Sequence, residues 1–437
     1  MAHADDLAAD TLAVILAGGN GTRLDPLTRH VCKPALPFGA GYRSIDFSLS
    51  NCANSGIRAI GVPTQYKPQS LLEHLAEAWR NDKVKGAPGV TPWRAEERAP
   101  RRGYRGTADA VYRNLALIDE LGHGLVLILA GDHVYKMDYR PMLERHRTLG
   151  AAVTMACVEI DAEDARHFGV LSLGVNDRIQ RFVEKPRTLA EVPGGGCGLV
   201  LASMGVYVFD ADFLARVLTM DAFTAESRHD FGADVLPRLI RNTRAFAYPF
   251  RAADGAGPAY WRDIGTISAY WRAHMELTGA SPQFSLDDAD WPVLSTADPP
   301  LSITLRTITT HCGAIENSLV APGCAVAGEV ERSVLFRGVD VGRGAVVTDA
   351  VVLPGASVGP GCRLRGVIVD SDCRVPAGTV IERSGPGIPP APMKGRSPRP
   401  PQRCRWLPIP TCWPWQSRRW RRRPWLARWS GSRRRWP

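Results

Sequence analysis

The sequence predicts an α/β domain on a mostly parallel sheet, followed by a left-handed parallel β-helix. Short apolar runs alternate with helical stretches through the first 280 residues, the pattern of strands joined by right-handed crossovers. The first of these runs, Leu12–Leu16, ends in a glycine-rich turn. Far downstream the period changes, and Val346, Val352, Val358 and Leu364 stand six residues apart. An apolar residue every six positions, with small residues between, marks a solenoid of about eighteen residues per coil.

The elements follow in order. Leu12–Leu16 reads as a buried strand, and Ala17 to Leu24 as the turn after it. Gly18, Gly19 and Gly21 let the backbone approach a ligand because no Cβ blocks it. Successive N–H groups in such a turn form a concave anion site. Thr22 adds a hydroxyl, Arg23 a fixed cation, and Lys33 a second cation before Pro34. Together they point to a polyphosphate. The turn fails the dinucleotide fingerprint, because Leu24 stands where its last glycine belongs, and it lacks the Gly-Lys-Ser/Thr of a P-loop.

Ser44–Asn51 leads into a short helix, with Gly56 as its left-handed C-cap. Ile57–Val62 reads as a strand, Gln69–Trp79 as a helix and Arg80–Arg102 as an exposed loop. Thr107 suits an N-cap, and Asp109 the positive end of the helix it would open. Leu125–Ala130 is fully apolar and reads as a central strand. Asp132 follows at its C-terminal end, where open α/β sheets bind ligands. Ala152–Val158 is a further strand, and Phe168–Leu171 and Ile179–Val183 form a strand pair. Lys185, before Pro186, closes an extended segment. Leu201–Phe209 is the next strand. Asp230 and Asp263 are each placed to cap a helix. Residues 1–280 then form one domain, 281–300 a linker, 301–383 the β-helix and 384–437 a tail.

A chain of 437 residues can bury two cores. Its 45% hydrophobic and 22% charged residues are ordinary for a soluble protein. No apolar stretch approaches the ~20 residues that cross a membrane. The acidic N-terminus has no apolar core and is no secretory signal, so a cytoplasmic protein is expected. Ten cysteines include no CxxC pair, and Cys52, Cys157 and Cys197 read as buried free thiols. The net charge of +10 resides in the tail: residues 384–437 hold fourteen Lys and Arg and no acid, leaving 40 basic against 44 acidic residues before them. Nucleic-acid binding by the body is therefore not expected. Seven of the twelve Trp and twelve of the thirty-four Pro also fall in the tail. That composition fits a frameshifted, poorly packed segment better than a basic interaction arm.

Several strings together resemble the sugar-nucleotide pyrophosphorylases: GGNGTRL with KPAL, YRGTADA, AGDHVYKMDY, FVEKP, SMGVYVF, HDFGAD and YWRDIG, in that order. With the β-helix they look most like the bacterial ADP-glucose pyrophosphorylases. The resemblance implies a Rossmann-like nucleotidyltransferase domain and the reaction of ATP with α-D-glucose 1-phosphate to ADP-glucose and diphosphate. It implies a nucleotide site at Leu16, Gly18, Gly19, Gly21, Thr22, Tyr104 and Gly106. Glucose 1-phosphate would lie against Gly169, Glu184, Lys185, Ser203 and Asp263. Asp132 and Asp263 would ligate Mg²⁺, and Arg23, Lys33 and Asp132 would act in catalysis. A homotetramer and small-molecule effectors are implied too, with Gln65, Arg29 and His30 as regulatory candidates. Gly103 stands where the family often has an aromatic residue, and His30 where enteric relatives have a lysine. Pyrophosphorylases of dTTP, UTP or GTP, and a non-catalytic regulatory subunit, remain alternatives at this stage.

Overall fold

The computed structural model describes residues 4–19, 21–79, 88–99, 103–193, 198–252, 257–278, 282–295, 308–309 and 313–382. Cys197 and the tail from 384 onward lie outside them, as does Asn20 of the glycine turn.

The first sheet contains β1 (Thr11–Leu16), β2 (Ala59–Thr64), β3 (Gly89–Arg94), β4 (Leu125–Ala130), β5 (Val153–Asp161), β6 (Gly169–Leu173), β7 (Ile179–Glu184), β8 (Leu199–Asp210) and β9 (Ala245–Pro249). Its order runs β7-β6-β8-β4-β1-β2-β3, with β5 paired to β8 and β9 to β5. Strands β4, β1, β2 and β3 are mutually parallel. Strand β8 joins β4 antiparallel. The C-terminal ends of β1 and β4 thus open beside a point where strand direction reverses, a place that collects ligands. The connecting helices include α1 (Ser44–Asn54), α2 (Gln69–Ala78), α3 (Thr107–Tyr112), α4 (Arg140–Leu149), α5 (Ala211–Ala222), α6 (Leu236–Asn242) and α7 (Ile267–Met275). Gly56 sits at φ 84° just past α1, in the left-handed region that glycine adopts without a Cβ penalty.

Two local expectations are corrected. Part of the segment read as an exposed loop, Arg80–Arg102, is strand β3, with Trp93 buried. Pro92 hides it from a sequence reading, since proline removes a ladder donor and is confined to edge strands, which β3 is. Thr107 is not the N-cap of α3: Gly106 is, and the Thr107 hydroxyl donates instead to Asp230 at 2.9 Å.

The second part is a left-handed parallel β-helix. Residues pair in a column, Ile315 with Val330, Val330 with Val347, Val347 with Leu364 and Leu364 with Ile381. After the first step the coil is seventeen residues, not eighteen. Its inward side chains run Val341, Val347, Val352, Val358, Leu364, Val369 and Val375, in steps of five or six. One five-residue side per coil removes the missing residue and puts Val347, not Val346, in the core.

The two parts share a core. Leu36, Phe38 and Phe47 pack with Tyr270 and Leu277 around α7 and with Leu319, Val334, Phe336 and Ile368 of the β-helix. The Trp271 indole donates to the Asp349 carbonyl at 2.8 Å. Residues 282–295, read as linker, form a strap over this seam. Phe284, Leu286 and Val293 are buried in it, Lys136 pairs with Asp288 at 3.0 Å, and the Trp291 indole donates to Asn51 at 2.9 Å.

His274 lies at the centre of that seam, fully buried. Its Nε2 accepts from the Gly39 N–H at 3.3 Å, so Nδ1 carries the proton and donates to the Tyr270 carbonyl at 2.8 Å. Burial lowers its pKa to about 4, and does the same to His146. The unfolded chain takes up these protons near pH 6.5 and the folded chain only near 4, so acidification through that window favours unfolding. Melting temperature should therefore fall from pH 6.5 to 4. The fall should be shallower in His274→Gln, by up to about 1.4 kcal/mol of stability per pH unit, as read by thermal denaturation at several pH values.

Candidate active site

One cavity of about 460 Å³ opens at the C-terminal ends of β1 and β4. Leu16, Gly18, Gly19, Arg23, Lys33, Gln65, Tyr104, Gly106, Asp132, Gly169, Glu184, Lys185, Ser203 and Asp263 all line it. These residues span nearly 250 positions of sequence, and the fold brings them together. Gly21, Thr22, Arg29 and His30 do not line it. Gly21, at φ 63°, shapes the turn, and its carbonyl accepts from the Thr28 hydroxyl at 2.7 Å. Arg29 pairs with Asp25 at 3.3 Å on the surface. A larger cavity, about 740 Å³, lies at the opposite strand ends beside Gly124, Ala152 and Asp210. It contains none of the predicted site residues, and its Arg147 is paired with Asp210 at 2.8 Å.

At the floor stands a triad of charges. β4 ends at Ala130 and delivers Asp132. The short strand Trp261–Asp263 pairs antiparallel with His133–Tyr135, placing Asp263 opposite His133. Lys33 enters from the turn Lys33–Ala35, where Pro34 fixes the backbone. Its ammonium lies 2.5 Å from Asp132 and 2.9 Å from Asp263. Burial alone would lower the Lys33 pKa, but the two carboxylates hold it above its ordinary value. Burial alone would likewise raise that of Asp132; Lys33 first, then His133, outweigh it and bring it down to about 2. Lys33 is thus engaged by two carboxylates rather than free in the cavity. Neither aspartate is used as a helix cap: α7 is capped by Thr266, which accepts from the Ala269 N–H at 3.1 Å.

His133, to which no sequence motif assigns a role, completes the cluster. Its Nδ1 meets the Met204 carbonyl at 3.0 Å. A carbonyl only accepts, so Nδ1 carries the proton. In a neutral ring Nε2 then presents a lone pair 3.6 Å from Asp132 and 3.9 Å from Asp263. One atom from each of Asp132, His133 and Asp263 lies within 4.8 Å of the others. Two carboxylates and an imidazole suit a divalent cation. Gly265 leaves room beside them, since a Cβ there would lie 2.8 Å from an Asp263 oxygen.

The walls carry the remaining groups. The register of β8 slips between Ser203 and Tyr207, and this bulge turns Gly205 to φ 69° and sets the Ser203 hydroxyl 3.1 Å from that of Tyr207. Glu184 and Lys185 are paired at 2.6 Å. Lys185 does not extend the strand as expected. Its N–H still makes the next rung of the ladder, to the Phe168 carbonyl at 2.9 Å, but its φ is 47°. A lysine held in the left-handed region marks strain at a site. Arg23 is exposed at the rim and makes no ion pair among the described residues. Tyr104 is buried. Its hydroxyl points away to the Trp93 carbonyl, while the Gln65 amide clasps its backbone N–H and C=O. Tyr207, Asp230 and Phe231 also line the cavity. Asp230 caps the turn that follows, as its place in the sequence predicts, accepting from the Ala233 N–H at 2.9 Å.

The triad makes a measurable claim. Replacing Lys33 leaves two partly buried carboxylates facing each other. Lys33→Met should lose about 3 kcal/mol of stability in the presence of chelator. Added Mg²⁺ or Mn²⁺ should raise its melting temperature more than that of the unaltered protein.

The sequence pattern described as Nucleotidyl transferase matches residues 12–279, and that described as GlmU-like, C-terminal hexapeptide matches residues 300–384. The chain is 47% identical to Glucose-1-phosphate adenylyltransferase 2 of Alkalilimnicola ehrlichii, over 86% of this chain and 89% of that protein. It is 43% identical to Glucose-1-phosphate adenylyltransferase of Methylococcus capsulatus, over 86% and 89%. The same identity to the protein of that name in Paraburkholderia phytofirmans covers 87% and 92%. With the parallel sheet, the hexapeptide solenoid and relatives this similar along most of its length, the chain belongs to the nucleotidyl transferase family, among the glucose-1-phosphate adenylyltransferases.

Proposed function

We propose that the protein joins ATP and α-D-glucose 1-phosphate to give ADP-glucose and diphosphate, the entry to bacterial glycogen. The observation that carries this is the gathering of Arg23, Lys33, Glu184, Lys185, Asp132 and Asp263 around one cavity, in a chain so similar to enzymes named for this reaction. No protein nucleophile is needed. The sugar phosphate oxygen attacks the α-phosphorus of ATP, and diphosphate leaves in line. Both reactants are anions, so the work is alignment and charge neutralisation.

The glycine turn at Gly18 and Gly19 receives the triphosphate on backbone N–H groups. Arg23, exposed at its rim, meets the departing diphosphate. Lys185 leaves Glu184 to hold the attacking phosphate, and Glu184 accepts from sugar hydroxyls. Ser203 bounds the sugar with Gly169. Asp132 and Asp263 would hold Mg²⁺, which would supply Lewis-acid neutralisation of the phosphates. Lys33, which lines the same cavity, would supply a further positive charge to the leaving diphosphate. Tyr104 and Gly106 form the wall over the base. We further propose a homotetramer, small-molecule effectors acting through Gln65, Arg29 and His30, and a cytoplasmic location. Arg29 and His30 fit such a place, because both act electrostatically on Asp370 of the β-helix across the seam.

Diphosphate release from ATP, dTTP, UTP and GTP with glucose 1-phosphate and Mg²⁺ tests the reading; ATP should be preferred, and equal use of another nucleotide would reject it. Asp132→Ala should abolish turnover while keeping the fold by circular dichroism. Lys185→Ala should raise KM for glucose 1-phosphate about a hundredfold with little change for ATP, the expected loss of a charge-assisted bond.

A further inference from the structure

The turn between α5 and α6 carries a buried pair that the mechanism does not use. Asp221, near the end of α5, is 5% exposed. Its Oδ1 accepts from the Ser227 hydroxyl at 2.6 Å and from Arg238 at 3.2 Å, and its Oδ2 from His229 Nδ1 at 2.9 Å. A carboxylate only accepts, so Nδ1 carries the proton. His229 is itself buried, and its φ is 58°, a conformation uncommon for a residue with a Cβ. Neither residue lines the cavity.

The conformation of His229 has a visible result. Its carbonyl turns towards the start of α3 and accepts the N–H groups of Ala108 at 2.8 Å and Asp109 at 3.3 Å. The contact is so close that a Cβ at Gly106 would lie 2.3 Å from that carbonyl oxygen. Asp230 takes the Thr107 hydroxyl at 2.9 Å, and Thr107 accepts the Phe231 N–H at 3.0 Å. One residue further, a Cβ at Gly232 would lie 2.6 Å from a Glu184 oxygen. A single turn, 227–232, therefore braces the Tyr104–Thr107 wall on one side and Glu184 on the other.

We propose that Asp221 and His229 are a positioning pair. By holding the His229 backbone in its left-handed state, they set the spacing between the nucleotide half and the sugar-phosphate half of the cavity. Neither touches substrate. The kinetic part of this inference rests on the function proposed above; the structural part does not.

Three variants separate the pair from the backbone it holds. His229→Asn keeps tolerance of positive φ and puts an amide N–H where Nδ1 stands. It should keep KM for both substrates within about twofold of the unaltered protein. His229→Gly keeps the backbone freedom but loses the bond to Asp221. Its KM should rise about tenfold for both ATP and glucose 1-phosphate, with kcat within about threefold, the signature of lost binding geometry rather than lost chemistry. Asp221→Asn, whose amide cannot serve donors on both oxygens, should behave like His229→Gly and stands in for it if that variant does not fold. Unchanged KM values in His229→Gly and Asp221→Asn, or a rise for one substrate alone, would overturn the proposal. Hydrogen exchange reads the pair without turnover. Residues 104–112 should lose protection in His229→Gly and keep it in His229→Asn. Unaltered exchange there would overturn the pair even if the protein made no ADP-glucose, whereas absence of product with the expected exchange pattern would count against the function alone.

Discussion

Two carboxylates cannot lie together in a low-dielectric pocket without a cation between them. Asp132 and Asp263 come from positions 131 residues apart, yet the fold places both within 2.9 Å of the Lys33 ammonium. The surrounding architecture answers to that requirement. The central strand β4 presents one acid, a short antiparallel ladder the other, and a proline-stiffened turn the lysine. The arrangement is neutral enough to be buried and still has the means to admit a second cation. The two carboxylates hold the Lys33 ammonium charged, and that ammonium in turn holds the Asp132 carboxyl below its ordinary value.

The cavity walls are set by how closely backbone can approach backbone and side chain. Gly106 lies against the His229 carbonyl, and Gly232 against the Glu184 carboxylate. No side chain can intervene at Gly106, where the neighbour is backbone. The two halves of the cavity therefore depend on the same six-residue turn, itself wrapped around Asp221 and Asp234, whose carboxylate accepts the Arg228 N–H at 3.2 Å.

Much of this was legible in the sequence, for a physical reason. Apolar runs such as Leu125–Ala130 bury both faces of a central strand and announce themselves. The hexapeptide rhythm is forced by the three flat sides of the solenoid. The motif strings located the cavity because groups that meet an anion must be glycine, lysine or arginine at fixed offsets. What stayed hidden depends on distance in sequence or on backbone state. Nothing near His133 says that the Met204 carbonyl will orient its ring. Thr107 looks like a cap until Asp230, 123 residues away, takes its hydroxyl. Pro92 disguised an edge strand, and no local pattern announces the left-handed backbone at Lys185. The seventeen-residue spacing of Val341, Val358 and Val375 is visible in the sequence, but which side of each coil is one residue short, and so that Val347 rather than Val346 points inward, is not.

The seam between the two parts has a mechanical meaning. The segment that carries Asp263 runs on through Thr266 into α7, and α7 is pinned to the β-helix by the Trp271 indole and a shared apolar core. Asp132 follows the central strand β4, and the ladder of His133–Tyr135 with Trp261–Asp263 joins it to that same segment. The solenoid is therefore fastened, through α7, to the same stretch of chain that supplies one of the two acids at the cavity floor.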